Sequence, residues 1–425
     1  MKKVRILMMS MAALATYLLL WGASIMPSVL SSSELNDWPQ FLGPHRNGIY
    51  LGSEIATSWP EMGPQVIWRK KIGQGFSGPV VKGNRLILFH RIGNQERIEC
   101  LNSKTGKVLW SYSYFSDYKD DFGFDEGPRS TPTIAKGKIY LFGAKGILHC
   151  LDLKNGIKIW SINTQEKFGF QKGFFGVVCS PLVKDGRLFL NIGGISGSGL
   201  VAFSAETGRV LWTATNEEAS YSSPIASRIG NLRQILFFTR TGLVGTDPEN
   251  GKVRFRFPWS ARSRASVNAA TPLTTGKLIF LSASYQTGAI LLKVKGTTLE
   301  KKWMSDEVLS NHYATSVLTD NLLFGFHGRQ EYGAALRCIE LETGKVLWSQ
   351  DRFGSGTLSL SGKQLLVLKE NGELFLVRAS PEAFHVAAKA KILSPTVRAY
   401  PAIANGYLYA RNQKELICVS LKKFQ

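Results

Sequence analysis

Cys338-Ile-Glu-Leu-Glu-Thr-Gly-Lys-Val-Leu-Trp348 decides how this chain is read, because near copies of it recur along the sequence. Cys100–Trp110 ends in the same Thr-Gly-Lys-Val-Leu-Trp, and Ala202–Trp212 ends in Thr-Gly-Arg-Val-Leu-Trp. Cys150–Trp160 carries Asn155-Gly156 and closes on Ile-Trp. Gly245–Phe255 keeps Gly251 but puts Phe255 where Trp is expected, and Lys293–Trp303 keeps the Trp and loses the Gly. A period of roughly 40–50 residues marks a propeller or a solenoid. Each copy reads as a β-hairpin. Asn102 or Asp152 can close an Asx turn on the backbone. Gly106, Gly156, Gly208, Gly251 and Gly344 supply the positive φ that ends a short loop. Trp110, Trp160, Trp212, Phe255, Trp303 and Trp348 then lie on the last strand, where a neighbouring sheet would bury them.

A second marker counts the units. A small residue and Pro, or a near equivalent, opens each one: Ser77-Gly78-Pro79, Ser130-Thr131-Pro132, Ser180-Pro181, Ser223-Pro224, Thr271-Pro272, Thr315-Ser316, Thr357-Leu358 and Tyr400-Pro401. Pro is tolerated at a strand start, where no ladder donor is needed. Four strands per unit and eight units predict an all-β, eight-bladed propeller. Seven blades is the alternative, since the copies at 293–303 and 375–384 are degraded. Gln65-Val66-Ile67-Trp68 resembles a closing strand without its hairpin, while the last copy, 401–421, lacks such a strand. The Trp68 strand is therefore expected to complete the last blade, close the ring and remove its free edges.

The remaining chain bounds location and partners. Lys2, Lys3 and Arg5 precede the apolar run Ile6 to Ile25, and small residues Ser28, Ser31 and Ser32 follow. Residues 1–32 read as a signal peptide or an N-terminal membrane anchor through 6–25. Either places the bulk of the chain outside the cytoplasm, periplasmic or secreted. Residues 33–68 form a Pro-, Gly- and aromatic-rich lead-in coil with the ring-closing strand, and 69–425 form the propeller. The 425 residues are 44% hydrophobic, enough for one large domain, and carry a net charge of +21. Removing the three leader cations leaves about +18. In an exported protein that basicity suits an anionic polymer or lipid; no RNA-binding motif is present, and a solvated basic surface is the plainer reading. Cys100, Cys150, Cys338 and Cys418 share one repeat slot, hence lie on different sheets, so they read as buried apolar residues rather than disulfide partners.

These residues carry a resemblance. The chain resembles the pyrroloquinoline-quinone (PQQ) repeat family of propellers, whose Trp-docking motif, Ala-x-Asp/Asn-x-x-Thr-Gly-x-x-x-Trp, matches at 100–110 and 202–212 and, with Cys for Ala, at 150–160 and 338–348. The Trp38-Pro-Gln-Phe-x-Gly-Pro opening, Tyr221-Ser-Ser-Pro224, Asn311-His312-Tyr313 and Tyr407-Leu-Tyr-Ala-Arg411 resemble its exported, quinone-binding-like bacterial branch. That branch is similar in architecture to the outer-membrane β-barrel assembly lipoprotein. The resemblance implies the fold more strongly than the chemistry. A quinoprotein dehydrogenase of the family implies a vicinal Cys pair over the cofactor, which this sequence lacks. Its acids cluster in one insertion, Asp117 to Glu126.

In a propeller the residues before each small-Pro marker ring one mouth of the channel. Three positions before each marker stand Phe76, Arg129, Val178, Tyr221, Ala269, Tyr313, Ser355 and Arg398, with Asn268 and His312 one step earlier. Arg129, Tyr221, Asn268, His312, Tyr313 and Arg398 form the candidate pocket, suited to an anionic, partly aromatic ligand such as PQQ; the alternative is that they plug the channel. Phe168 to Gly176 reads as a partner-binding lip or a lid, and Gly193 to Gly199 as a flexible hairpin. Arg254, Arg256, Arg262 and Arg264 make a basic-aromatic blade edge. With no assembled catalytic set and no metal motif, the sequence points to a monomeric, non-enzymatic binding or scaffolding module of the cell envelope. The alternatives are a PQQ-dependent oxidoreductase and an anionic-glycan module.

Overall fold

The computed structural model describes residues 35–261, 263 and 268–423. The expected leader at 1–32, together with Arg262 and Arg264, lies outside the described residues. Eight antiparallel sheets follow one another along the chain and form an eight-bladed propeller. Blades 1 to 7 take residues 80–115, 133–163, 182–214, 225–258, 273–305, 317–350 and 356–391; blade 8 joins 402–420 to 66–71. The lead-in strand Val66–Lys71 pairs antiparallel with Glu415–Ser420, Trp68 opposite Cys418. The ring is thus closed by the N-terminal strand, as expected.

The repeat motif works as a clamp between blades. Asn102 Oδ1 accepts from the Lys104 and Thr105 N–H groups, and Asp152 Oδ1 from those of Lys154 and Asn155, which fixes the turn. Each Trp then reaches the next blade. The Trp110 indole N–H donates to the Leu153 carbonyl at 3.2 Å, Trp68 to Ser103 at 3.0 Å, Trp303 to Leu341 at 2.8 Å and Trp348 to Ser380 at 2.9 Å. Its ring covers the turn glycine there: Trp68 over Gly106, Trp110 over Gly156, Trp160 over Gly208, Trp212 over Gly251 and Trp303 over Gly344. Burial is less complete than the sequence suggested. Trp212, Trp348 and Phe255 are buried, but Trp68, Trp110, Trp160 and Trp303 are half-buried, because the slot opens at the outer rim of the ring. Phe255 lies over Gly245, its cross-strand partner in its own blade, and blade 5 offers no docking glycine.

The small hydroxyl of the strand marker also acts between blades. The Gly78 N–H donates to Thr131 Oγ1 at 3.1 Å, Thr131 to Ser180 Oγ, Ser180 to Ser223 Oγ and Thr271 to Thr315 Oγ1, each of these at 2.9 Å. Innermost backbone donors that Pro leaves without a ladder are thereby satisfied. At blade 7 the marker Thr357 lies inside the strand Gly356–Ser361, opposite Leu368, since with no Pro its N–H is free to join the ladder. All five cysteines are free and buried, with burial raising the thiol pKa values to about 11–12 at Cys100, Cys150, Cys179, Cys338 and Cys418.

Strand order divides the molecule into two faces. The first and third turns of every blade lie on one, here the hairpin face; the middle turns and blade-to-blade connections lie on the other, the mouth face. The lead-in is more than an ordered coil. Entering at the hairpin face, where Asp37 Oδ1 accepts the Gly83 N–H at 2.7 Å, it crosses the channel. Trp38 exchanges two backbone hydrogen bonds with Val81, and Ile134 donates to the Pro39 carbonyl. Arg46 donates to the Ser180 and Pro181 carbonyls at 2.9 and 2.7 Å, and Ile49–Tyr50 runs parallel to blade 7 beside Leu360 and Ser361. Trp38 and Arg46 are buried, and desolvation lowers the Arg46 pKa to about 10, slightly offset by Cys179. Among the described residues a short helix, α1 (Thr164–Phe168), and a single 3-10 turn, Gln330–Tyr332, interrupt the otherwise all-strand reading; Asn163 caps the start of α1 and Gly169, at φ 65°, its end.

Candidate functional site

Among the described residues, two long connections on the mouth face cover the mouth. The acidic insertion, 116–129, folds around Asp120, whose carboxylate accepts the N–H groups of Phe122, Phe124 and Asp125 at 3.0–3.1 Å. The same carboxylate takes Arg129 Nη2 at 2.9 Å. Burial opposes its charge, but these donors and the guanidinium hold the Asp120 pKa below its usual value. The aromatic insertion, 168–176, leans onto the first: Phe122 meets Phe175 at 5.3 Å and Phe174 at 6.0 Å, and Lys172 pairs with Asp121 at 2.6 Å. Of the two readings given to this insertion, lid and lip, its packing is that of a lid, while Phe122 and Phe124 remain about half exposed, at 54% and 52%.

Beneath this cover five of the six candidate residues come together. The Arg129 guanidinium lies 5.6 Å from the Phe76 ring centre and 5.2 Å from Phe175; Arg398 lies 5.8 Å from Phe76 and 5.6 Å from Phe124. Arg398 Nε and the Tyr313 hydroxyl both donate to Glu370 Oε1 at 2.9 Å. Burial, with Glu370 beside it, raises the Tyr313 pKa well above that of a free phenol. Tyr221 accepts the Phe175 N–H at 2.7 Å, tying the lid to blade 4. His312 sits next to Tyr313, with Nδ1 2.7 Å from Gln330 Oε1 and Nε2 3.3 Å from the Tyr285 hydroxyl. Burial lowers its pKa, so the neutral ring is favoured, although Gln330 counters part of the effect. Asn268 stands apart. It is buried in the channel wall, its side-chain amide donating to the Thr239 carbonyl at 2.7 Å and its backbone carbonyl accepting the Ser222 N–H at 2.8 Å.

Sequence spacing found the cations of the mouth but not their counter-ions. Asp120 lies within the acidic insertion, for which spacing gives no partner, and Glu370 lies on a middle turn of blade 7, a position the marker pattern does not address. As arranged, Arg129 and Arg398 already hold carboxylates and aromatic faces, and Asn268 is committed to the backbone. These residues therefore do not fit an anionic quinone without rearrangement.

The structure also joins two stretches that sequence treated separately. The Gly193–Gly199 loop is pinned to α1 by the Ile195 N–H, 2.9 Å from the Phe168 carbonyl. Between this loop and the aromatic insertion lies a cleft of about 870 Å³ whose walls include Phe174, Asn191, Glu218, Tyr221 and Arg240. Arg240 sets its Nε 3.3 Å from Glu218 and its guanidinium 5.5 Å from the Phe174 ring centre. Among the described residues of the basic-aromatic edge, Arg254 pairs with Asp247 and Arg256 with Glu217, at 2.5 and 3.8 Å.

Comparison with known proteins fits this geometry. A family model described as outer membrane protein assembly factor BamB matches residues 61–173 and 123–350. The BamB of Burkholderia pseudomallei is 21% identical over 371 residues, 83% of this chain and 87% of the relative. The dehydrogenase subunit of a quinone alcohol dehydrogenase from Gluconacetobacter polyoxogenes is 32% identical over 126 residues, 28% of this chain; the match spans only 17% of that relative's length. The crystal structure of BamB from Moraxella catarrhalis superposes with a TM-score of 0.62 at 13% identity, covering 85% of this chain and 98% of that one, a likeness of fold. With its eight blades, its Trp-docking repeat and a match across 61–350, the chain belongs to the PQQ-like repeat propeller family described by the BamB model.

Proposed function

We propose that this chain acts outside the cytoplasm as a non-enzymatic scaffold, offering its covered mouth to another protein of the cell envelope. The observation that carries this reading is the lid. Phe122 and Phe124 present apolar area to solvent while Phe174 and Phe175 pack beneath them, and Asp120 and Glu370 neutralise the cations underneath. Exposed aromatics on a rigid, charge-balanced base favour a protein partner, since aromatic anchors dominate interface energetics. The near full-length match to an outer membrane protein assembly factor supports the same reading. The test is capture of the barrel-assembly machinery from envelope extracts with the wild-type chain and with Phe122→Ser/Phe124→Ser. Recovery by the wild type and loss of roughly tenfold or more in the variant are expected, as for two interface aromatics. Equal recovery by both rejects the lid as the contact.

The dehydrogenase relatives favour a second reading, in which Arg129, Tyr221, His312, Tyr313 and Arg398 bind PQQ once the lid moves. Titration with PQQ, with and without Ca²⁺, by calorimetry and visible absorbance separates the two. Saturable binding lost in Arg129→Ala and Arg398→Ala selects the oxidoreductase; no heat and no spectral change up to high micromolar quinone selects the scaffold.

A further inference from the structure

The charges that the lid accounts for are on the mouth face; a second set of cations stands near the blade tips of the other. At or just before the first hairpin turn, five blades carry an exposed cation: Lys136, Lys277 and Lys363 in the turns of blades 2, 5 and 7, and Lys184 and Arg228 on the strands leading into those of blades 3 and 4. In blade 1 the equivalent Lys82 lies 3.7 Å from Asp37 of the lead-in. The ion pairs around this ring are made by its neighbours, Lys138 with Glu206, Arg187 with Glu249, and Arg233 with Asp185 and Glu249, and among the described residues none of the five exposed cations makes one. They stand around the lead-in's point of entry in a ring interrupted at blade 6, whose turn carries Asp320, and at blade 8, whose turn is Asn405-Gly406.

A second observation concerns the chain ends. Asn36 accepts the Asn405 N–H at 2.9 Å, beside the first turn of blade 8, so the chain enters the propeller at the hairpin face. The third strand of blade 8 ends there too, with Lys422 and Lys423 exposed. Upstream, only residues 26–34 separate the apolar run 6–25 from the first described residue. Nine residues span at most about 30 Å.

We propose that the hairpin face docks on anionic phospholipid headgroups, turning the lid away from the bilayer. A ring of cations at one level suits a planar layer of phosphates. An apolar segment on a short tether raises the local concentration of a bilayer, which it does not do for a soluble polymer. The attraction acts only within about 8 Å at physiological salt, so the tips must lie against the surface. The proposal rests on the extracytoplasmic placement and on residues 6–25 being retained as an anchor, and not on the identity of the scaffold's partner.

The test is amide hydrogen exchange on the full chain reconstituted into vesicles of phosphatidylcholine alone, or with roughly one third phosphatidylglycerol, an anionic fraction ample for surface attraction. Slowed exchange is expected at the turns around Lys136, Lys184, Arg228, Lys277 and Lys363 in the anionic vesicles only, reversed at about 0.5 M salt. The insertions at 117–126 and 168–176 should exchange alike in both. Each tip changed to Gln should weaken docking about fivefold, and all five together should abolish it without lowering the unfolding temperature. Equal protection in neutral vesicles, protection of the insertions instead, or a five-site variant that docks like wild type would overturn the proposal. So would protection by soluble polyphosphate with none from vesicles. The lid variant Phe122→Ser/Phe124→Ser leaves this readout unchanged, so the two readings fail separately.

Discussion

The two faces of the propeller are built by different means. On the hairpin face everything follows from the repeat: a Gly turn, an Asx or hydroxyl bond to the backbone, a Trp from the preceding blade laid over the glycine. Among the described residues five exposed cations there, Lys136, Lys184, Arg228, Lys277 and Lys363, make no ion pair, while Arg233 pairs with Asp185 and Lys423 with Glu54. On the mouth face the repeat supplies only short turns, and two insertions unique to blades 1 to 3 supply the rest. There the charges are paired, Arg129 with Asp120 and Arg398 with Glu370, and covered by aromatic rings. The difference teaches that basic residues in this chain differ in kind. A buried cation on the mouth face is a structural member of the lid; an exposed one on the hairpin face is available for contact.

The sharpest way to break that contrast is Arg129→Ala. It leaves Asp120 buried without its cation, its side chain being fully covered, and breaking such a pair costs about 3–5 kcal/mol. Lys136→Ala on the opposite face should change stability by less than about 0.5 kcal/mol. Urea unfolding of the two variants measures both, and comparable losses would erase the distinction.

Next in size is the clamp. Trp110→Ala removes a half-buried ring and its bond to the Leu153 carbonyl, and should cost about 3 kcal/mol. Its partner can be probed more finely. Gly156 and Gly186 both hold positive φ in hairpin-face turns, at 74° and 75°. A Cβ at Gly156 would overlap the Trp110 ring, whereas one at Gly186 meets nothing. Gly156→Ala should therefore cost about 1–3 kcal/mol more than Gly186→Ala, the penalty of overpacking added to a shared backbone strain. Equal costs would mean that the ring yields and the clamp is loose.

The smallest effect lies between the faces. His149 is buried against Tyr114, ring centres 4.3 Å apart, with neither ring nitrogen hydrogen-bonded. Burial, aided by Lys158, lowers its pKa to about 4. A lowered base stabilises the fold above its unfolded pKa, near 6.5, and that contribution is lost as pH falls from 6.5 toward 4. His149→Phe should remove on the order of 2 kcal/mol of this acid sensitivity. Melting curves between pH 7 and pH 4.5 should converge for the variant; an unchanged slope would show that other groups carry the acid response.

Much of the mouth could be read from spacing. The three-residue offset before each marker found Arg129, Tyr313 and Arg398, because a strand start fixes which residue faces the channel. The same rule failed at Asn268, whose small polar side chain turned into the wall to satisfy the Thr239 carbonyl. It could not find Asp120 or Glu370, which reach the arginines from an insertion and from another blade's middle turn.

What the sequence determined by itself is everything with a period. Eight markers, the docking Trp residues and the stray strand at Trp68 specify blade order and closure and favour eight blades over seven, a choice the structure settles at eight, because each repeat can bury its apolar face only against its neighbours. What only the tertiary structure decided is everything aperiodic. The lead-in proved to dip into the channel from the hairpin face, burying Arg46 against blade 3 and returning beside blades 7 and 8, the insertions met across the mouth and neutralised its cations, and the basic tips collected on one face. Those contacts join residues far apart in sequence and near one another only once the ring is closed.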